Sequence, residues 1–164
     1  MLLSKIAPMV LVVVSVIPSY SQKIRGSRTR TLETLSTKAG ILKLIRIDDF
    51  DISETNWYAT LNGRTVFRTY DDVFDSVTFH TVFKNLGNSE AVLLQIKFNP
   101  DTCEFRVINI PLSGKPVVSG PFGFCGPSIM QEGRRITFTF GSKQKVKPLV
   151  WIFENGIVKK EQDN

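Results

Sequence analysis

The chain has 164 residues, with 21 Lys and Arg against 15 Asp and Glu, a formal charge of +6, 42% hydrophobic residues and 22% charged ones. That length suits one domain rather than two, and the composition excludes a wholly disordered chain. One His, 2 Cys and 12 Phe argue for strands and turns, and leave few groups for a metal cluster or for acid–base catalysis.

Residues 1–21 carry the pattern of a secretory signal: Lys5, the apolar run 6–17 (IAPMVLVVVSVI), Pro18, and small Ser19 and Ser21 before Gln22. The run is shorter than the roughly 20 apolar residues of a spanning helix, which weighs against an uncleaved anchor. Cleavage after Ser21 is therefore expected to release a periplasmic or secreted chain that does not span the membrane. Export bears on Cys103 and Cys125, since an oxidising compartment favours pairing over two separately buried thiols. Closing a loop of about 23 residues would contribute roughly 3 kcal/mol. A nucleophilic cysteine would need a basic neighbour, and the one His lies far off in sequence.

Residues 22–40 read as a basic flexible arm with Lys23, Arg25, Arg28, Arg30 and Lys38, and with a short helix over 31–39 capped by Thr31. From Ile41 the period changes to two, and 41–160 reads as a single β domain followed by a short tail, 161–164. The run 41–47 (ILKLIRI) predicts a strand with Ile41, Ile45 and Ile47 on its apolar face. Asn62-Gly63 between 57–61 and 65–70 predicts a hairpin, because both residues tolerate the positive φ of a type I′ turn. Residues 77–85 alternate, with Val77, Phe79, Thr81 and Phe83 on one face and His80 on the other. In 91–98, Val92, Leu94, Ile96 and Phe98 point inward. The strand 105–110 slips phase between Val107 and Ile108, which indicates a bulge or burial on both faces. Residues 111–128 are rich in Pro and Gly, with room for a short edge strand at 115–118. Residues 135–140 (RITFTF) form another strand, and Asn155-Gly156 closes a second hairpin. The expectation is an all-β antiparallel sandwich or partly closed barrel of 8–10 short strands with one disulfide.

Little in the chain nominates chemistry. There is no nucleophile elbow, no metalloprotease helix motif and no phosphate-binding loop. His80 lies on a polar strand face without an evident second group to make it a base. Two acidic segments, Asp48, Asp49, Asp51 and Glu54, then Asp71, Asp72 and Asp75, could serve calcium or glycoside hydrolysis. Acidic residues are also ordinary turn formers, and neither segment carries the glycine of a calcium loop. The reading is a non-enzymatic protein without cofactor or bound metal; a hydrolase using the acidic turns, or a structural envelope component, is the alternative.

The stretch AVLLQ (91–95), then Cys103-Glu104-Phe105-Arg106-Val107, then Gly120-Pro121-Phe122-Gly123-Phe124-Cys125, resembles a pattern of small exported bacterial proteins. In these a vLLQ strand leads to a Cys, an aromatic-Arg strand and an FGxC loop. The resemblance spans 57–128 and implies an all-β exported domain with a Cys103–Cys125 bridge. It implies no activity. Together these readings point to a binding protein of the bacterial envelope, an inhibitor or immunity-type protein, engaging a protein partner or an anionic envelope polymer rather than nucleic acid. The candidate contact residues are Phe122 and Phe124 on the disulfide-clamped loop, with Arg134, Arg135, Lys143 and Lys145 as the cationic surface.

Overall fold

The computed structural model describes residues 26–70, 75–141 and 147–161. Among the described residues, twelve strands build three antiparallel sheets of four, each a run of consecutive strands. The first sheet holds β1 (Ser27–Thr37), β2 (Gly40–Asp49), β3 (Glu54–Leu61) and β4 (Arg64–Tyr70) in sequential order. The middle sheet holds β5 (Ser76–Phe83), β6 (Ser89–Asn99), β7 (Thr102–Pro111) and β8 (Val117–Val118). The third holds β9 (Pro127–Glu132), β10 (Arg135–Phe140), β11 (Leu149–Glu154) and β12 (Ile157–Lys160). None of the described residues is helical, and no helix among them is long and apolar enough to cross a membrane. The signal segment, residues 1–21, and the tail 162–164 lie outside the described residues.

The expected all-β fold with one disulfide is present, with more layers than a two-sheet sandwich. Side chains on one face of the middle sheet (Val77, Val92, Leu94, Ile96, Ile108, Ile110) share a core with Leu42, Leu44, Trp57, Ala59 and Phe67 of the first sheet. The other face (Phe83, Ala91, Leu93, Cys103, Phe105, Val107) shares a second core with Ile136, Phe138, Phe140 and Phe153 of the third. The middle sheet is therefore covered on both sides, and β6 is buried without a break from Glu90 to Leu94. The same geometry settles the phase slip in β7. Val107 and Ile108 pair in unbroken register with Leu93 and Val92, so the slip marks two buried faces and not a bulge.

The two Asn-Gly hairpins form as their chemistry requires. Asn62 and Asn155 take φ of 50° and 51°, and β3 pairs with β4 and β11 with β12 across them.

Three sequence expectations are corrected, and one strand goes beyond them. The basic arm is not a helix where it is described: Ser27–Thr37 is β1, registered along β2 from Ser27↔Asp49 to Thr37↔Gly40 with a bulge at Leu32. Its alternating Thr residues are β-branched and fit a pleated surface once a neighbour offers the ladder. In β2 the buried face is Leu42 and Leu44, opposite to the Ile face. The two Leu stand beside Leu61 and Ala59, which look onto the middle sheet, while Ile45 and Ile47, only part-buried, share the other face with Tyr58 and Asn56. The alternation of β5 breaks at His80, the extra residue between the pairs Phe79↔Leu94 and Thr81↔Leu93. An extra residue flips every side chain after it, so Val82 joins Val77 and Phe79 on the first core while Phe83 enters the second. Finally, β9 is a strand although only Ile129 of its residues packs on the second core, too weak an alternation to read in isolation.

The interfaces between layers differ in kind. The first and middle sheets are tied by polar bonds: the Phe79 amide, freed at the bulge, donates to Glu33 Oε1 at 3.0 Å, and the Lys38 amide donates to the Glu90 carboxylate at 2.7 Å. Glu90 keeps only 3% of its surface exposed, and that bond is what makes a carboxylate tolerable there. The middle and third sheets are tied covalently by Cys103–Cys125, with Cα atoms 5.2 Å apart.

Candidate functional site

The bridge joins β7 to the loop that leads into β9. That loop is held at further points. Phe122 and Phe105 exchange both backbone hydrogen bonds at 3.0 Å, the Ser119 amide donates to the Val107 carbonyl at 2.9 Å, and the Val107 amide donates to Ser119 Oγ at 2.9 Å. Between the two aromatics, Gly123 has φ 69°, and a Cβ there would run into the Phe140 ring. The chain can pass this point only as glycine.

This clamp sorts the predicted contact residues. Phe122 is 4% exposed and packs its ring among Phe138 (5.1 Å between centroids), Trp151 (5.5 Å), Phe140 (6.2 Å) and Phe105 (6.4 Å). It belongs to the core, which corrects its nomination as a contact residue. Phe124 is 40% exposed and packs against Phe140, the rings tilted at 49° with centroids 5.2 Å apart. The described members of the cationic group do not gather around it. Arg135 is at the far end of β10 from Phe140, about 17 Å along a strand at ~3.4 Å per residue, and lies 3.6 Å from the Glu161 carboxylate. The Arg134 side chain lies over Gly87, in the connection between β5 and β6. Lys143 and Lys145 lie outside the described residues.

His80 is exposed, its Nδ1 is 2.8 Å from Thr81 Oγ1, and its ring meets Phe105 edge-on at 5.7 Å. These contacts to a hydroxyl and a phenyl ring replace the partnerless histidine of the sequence reading.

Of the first acidic segment, Asp48 is buried and committed. Burial alone would raise its pKa. Hydrogen bonds from Arg46 Nε (2.6 Å) and Thr55 Oγ1 (3.2 Å), with the charges of Arg46 and Arg30, outweigh that and hold the carboxyl below its usual value. Asp49, Asp51 and Glu54 stand at the exposed turn between β2 and β3. The pair Asn56↔Tyr70 brings the end of β4 to this same end of the sheet, but Asp71 and Asp72 lie outside the described residues. Among the described residues, no three His, Cys, Asp or Glu side chains form a group able to hold a metal.

Two surfaces escaped the sequence reading. On the outer face of the first sheet, Arg68 lies over the rings of Tyr58 (5.4 Å) and Tyr70 (5.7 Å) and donates to Asn56 Oδ1 at 3.2 Å. At the opposite end of that sheet, a cleft of about 630 Å³ opens between the β3–β4 hairpin and the connection from β7 to β8. Its walls include Leu61, Val66, Leu112 and Pro116, with Arg64 and Lys115 as its cations. The two cations are remote in sequence, and no local signal links them. No family model matches the chain, and no curated protein or solved structure does so either.

Proposed function

We propose that this protein is an exported, non-enzymatic binding protein of the bacterial envelope, of inhibitor or immunity type, which holds a protein partner through the loop clamped at Cys125. The observation that supports this most is Phe124: a large apolar side chain left 40% exposed on a loop whose neighbouring residues are fixed by a disulfide and a pair of backbone bonds. An aromatic already held in one place loses little freedom on binding, so more of its burial becomes affinity. Phe140 lies against the ring, tilted at 49° with centroids 5.2 Å apart, and the exposed part of Phe124 is the surface a partner would cover. A disulfide is compatible with an oxidising extracellular compartment, where such a partner would be met.

The test is capture from a periplasmic fraction by the wild-type protein and by Phe124→Ala, with a melting curve for each. A partner held by wild type should be bound about 30-fold less tightly by the variant, the effect of removing an interface anchor worth roughly 2 kcal/mol. Equal capture by both proteins refutes the reading.

A further inference from the structure

We propose that the cleft between β4 and the β7–β8 connection binds a small amphipathic carboxylate, one anionic head on an aliphatic body. About half of its wall is apolar, with Ala39, Leu61, Val66 and Leu112 on it, and Leu112 keeps 47% of its surface exposed, area that an aliphatic chain would remove from water. The charges lining the cleft are both positive. Arg64 and Lys115 reach it from different sheets, no carboxylate lines it, and neither cation is in an ion pair among the described residues. Two like charges without a counter-ion raise the local concentration of an anion, and the guanidinium fork matches a carboxylate. A wholly polar anion would leave the walls unused, and an uncharged alkyl chain would leave the cations unused. The volume, about 630 Å³, lies within the range of small-molecule sites.

The frame is also built in advance. Asn62 Oδ1 accepts the Ile41 amide and its Nδ2 donates to the Ala39 carbonyl, both at 2.9 Å, so one side chain fixes the β1–β2 turn against the β3–β4 hairpin. The Leu112 amide donates to the Asn88 carbonyl at 2.8 Å, which anchors the opposite wall. No segment of this frame has to be ordered when ligand enters. None of it touches Phe124, so the cleft and the clamped loop stand or fall separately.

The test titrates the protein with decanoate below its micelle concentration, following methyl signals of Leu112 and Val66 by NMR. Decanol and acetate serve as the body without the charge and the charge without the body. Decanoate should bind saturably and shift both methyl groups, decanol should bind several-fold more weakly, and acetate should not saturate. The double variant Arg64→Gln/Lys115→Gln alters two exposed side chains and should keep the wild-type melting curve. It should weaken decanoate about fivefold while leaving decanol unchanged. Leu112→Asn should weaken both. Equal affinity for decanoate and decanol, decanoate binding unchanged in the double variant, or shifts confined to other residues would each overturn the proposal. So would binding of an acidic peptide at these residues without binding of decanoate, which would assign the cleft to a protein partner.

Discussion

Truncating Phe122 to Ala separates core from surface in the clamped loop. The ring is 4% exposed and meets four other aromatic rings with centroids 5.1 to 6.4 Å away. A buried aromatic removes about 200 Å² from water, or roughly 5 kcal/mol at ~25 cal/mol per Å², an upper value because unfolded chains already cover part of that area. Alanine keeps the Cβ, and the cavity left among stiff rings collapses only in part, so the net cost should be about 4 kcal/mol. For a chain of this size, each kcal/mol lowers the melting temperature by about 3–4 °C. The expected fall is about 12–16 °C, measured by calorimetry without reductant and with the bridge verified by mass spectrometry. Phe124→Ala, which opens no enclosed cavity, should fall by less than a third of that. A drop below about 4 °C for Phe122→Ala with the bridge intact would refute the assignment of this ring to the core, and with it the geometry that leaves Phe124 outside.

Replacing Cys103 and Cys125 by Ser should cost roughly 3 kcal/mol in denaturant unfolding; hydrogen exchange should quicken in 119–126 while β2 and β3 keep their protection. Gly40→Ala should destabilise by about 2–3 kcal/mol, because Gly40 has φ 131° and a Cβ there would overlap the Asn62 amide; urea midpoints for Gly40→Ala, Asn62→Ala and the double variant should be strongly non-additive, since Asn62→Ala relieves the overlap. The lowered pKa of Asp48 means that its charged form is favoured by folding. Its contribution is therefore fully present above the unfolded value of about 3.9 and is lost as pH falls through the lower folded value. Urea midpoints between pH 5 and pH 2 should fall less steeply for Asp48→Asn than for wild type, and parallel curves would contradict the role given to Arg46 and Arg30.

Much of this fold is legible in the sequence, for a local reason. An Asn-Gly pair asks only for positive φ at two adjacent residues, and 65–70 or 135–140 asks only for a period of two. Both signals sit within a few residues and survive in any tertiary setting. The pairing of Cys103 with Cys125 was legible because there are 2 cysteines and the leader pattern argues for an oxidising compartment. The strand β1 was not. Its Thr and Arg side chains bury little apolar area, and the ladder to β2, rather than its own composition, makes it extended.

The remaining errors are all questions of which face meets which layer. Residues 41–47 carry Ile on one side and Leu on the other, and hydrophobicity alone cannot choose between them. The middle sheet covers Leu42 and Leu44, and the Ile face takes no part in that core. One extra residue at His80 reverses the phase of β5, and nothing in its neighbours announces it. Phe122 and Phe124 are two residues apart in the same motif. The backbone bridge to Phe105 points the first into the second core, while Phe124 keeps 40% of its surface exposed. Arg64 and Lys115 share a cleft because β4 of one sheet comes alongside β8 of another. Sequence alone determined most of the strands and the Asn-Gly turns, which follow from interactions between near neighbours along the chain, and the covalent staple, which follows from there being 2 cysteines. Only the tertiary structure decided the number of layers, the buried side of each strand and the surfaces open to a partner, because burial depends on what packs opposite and not on the residue itself.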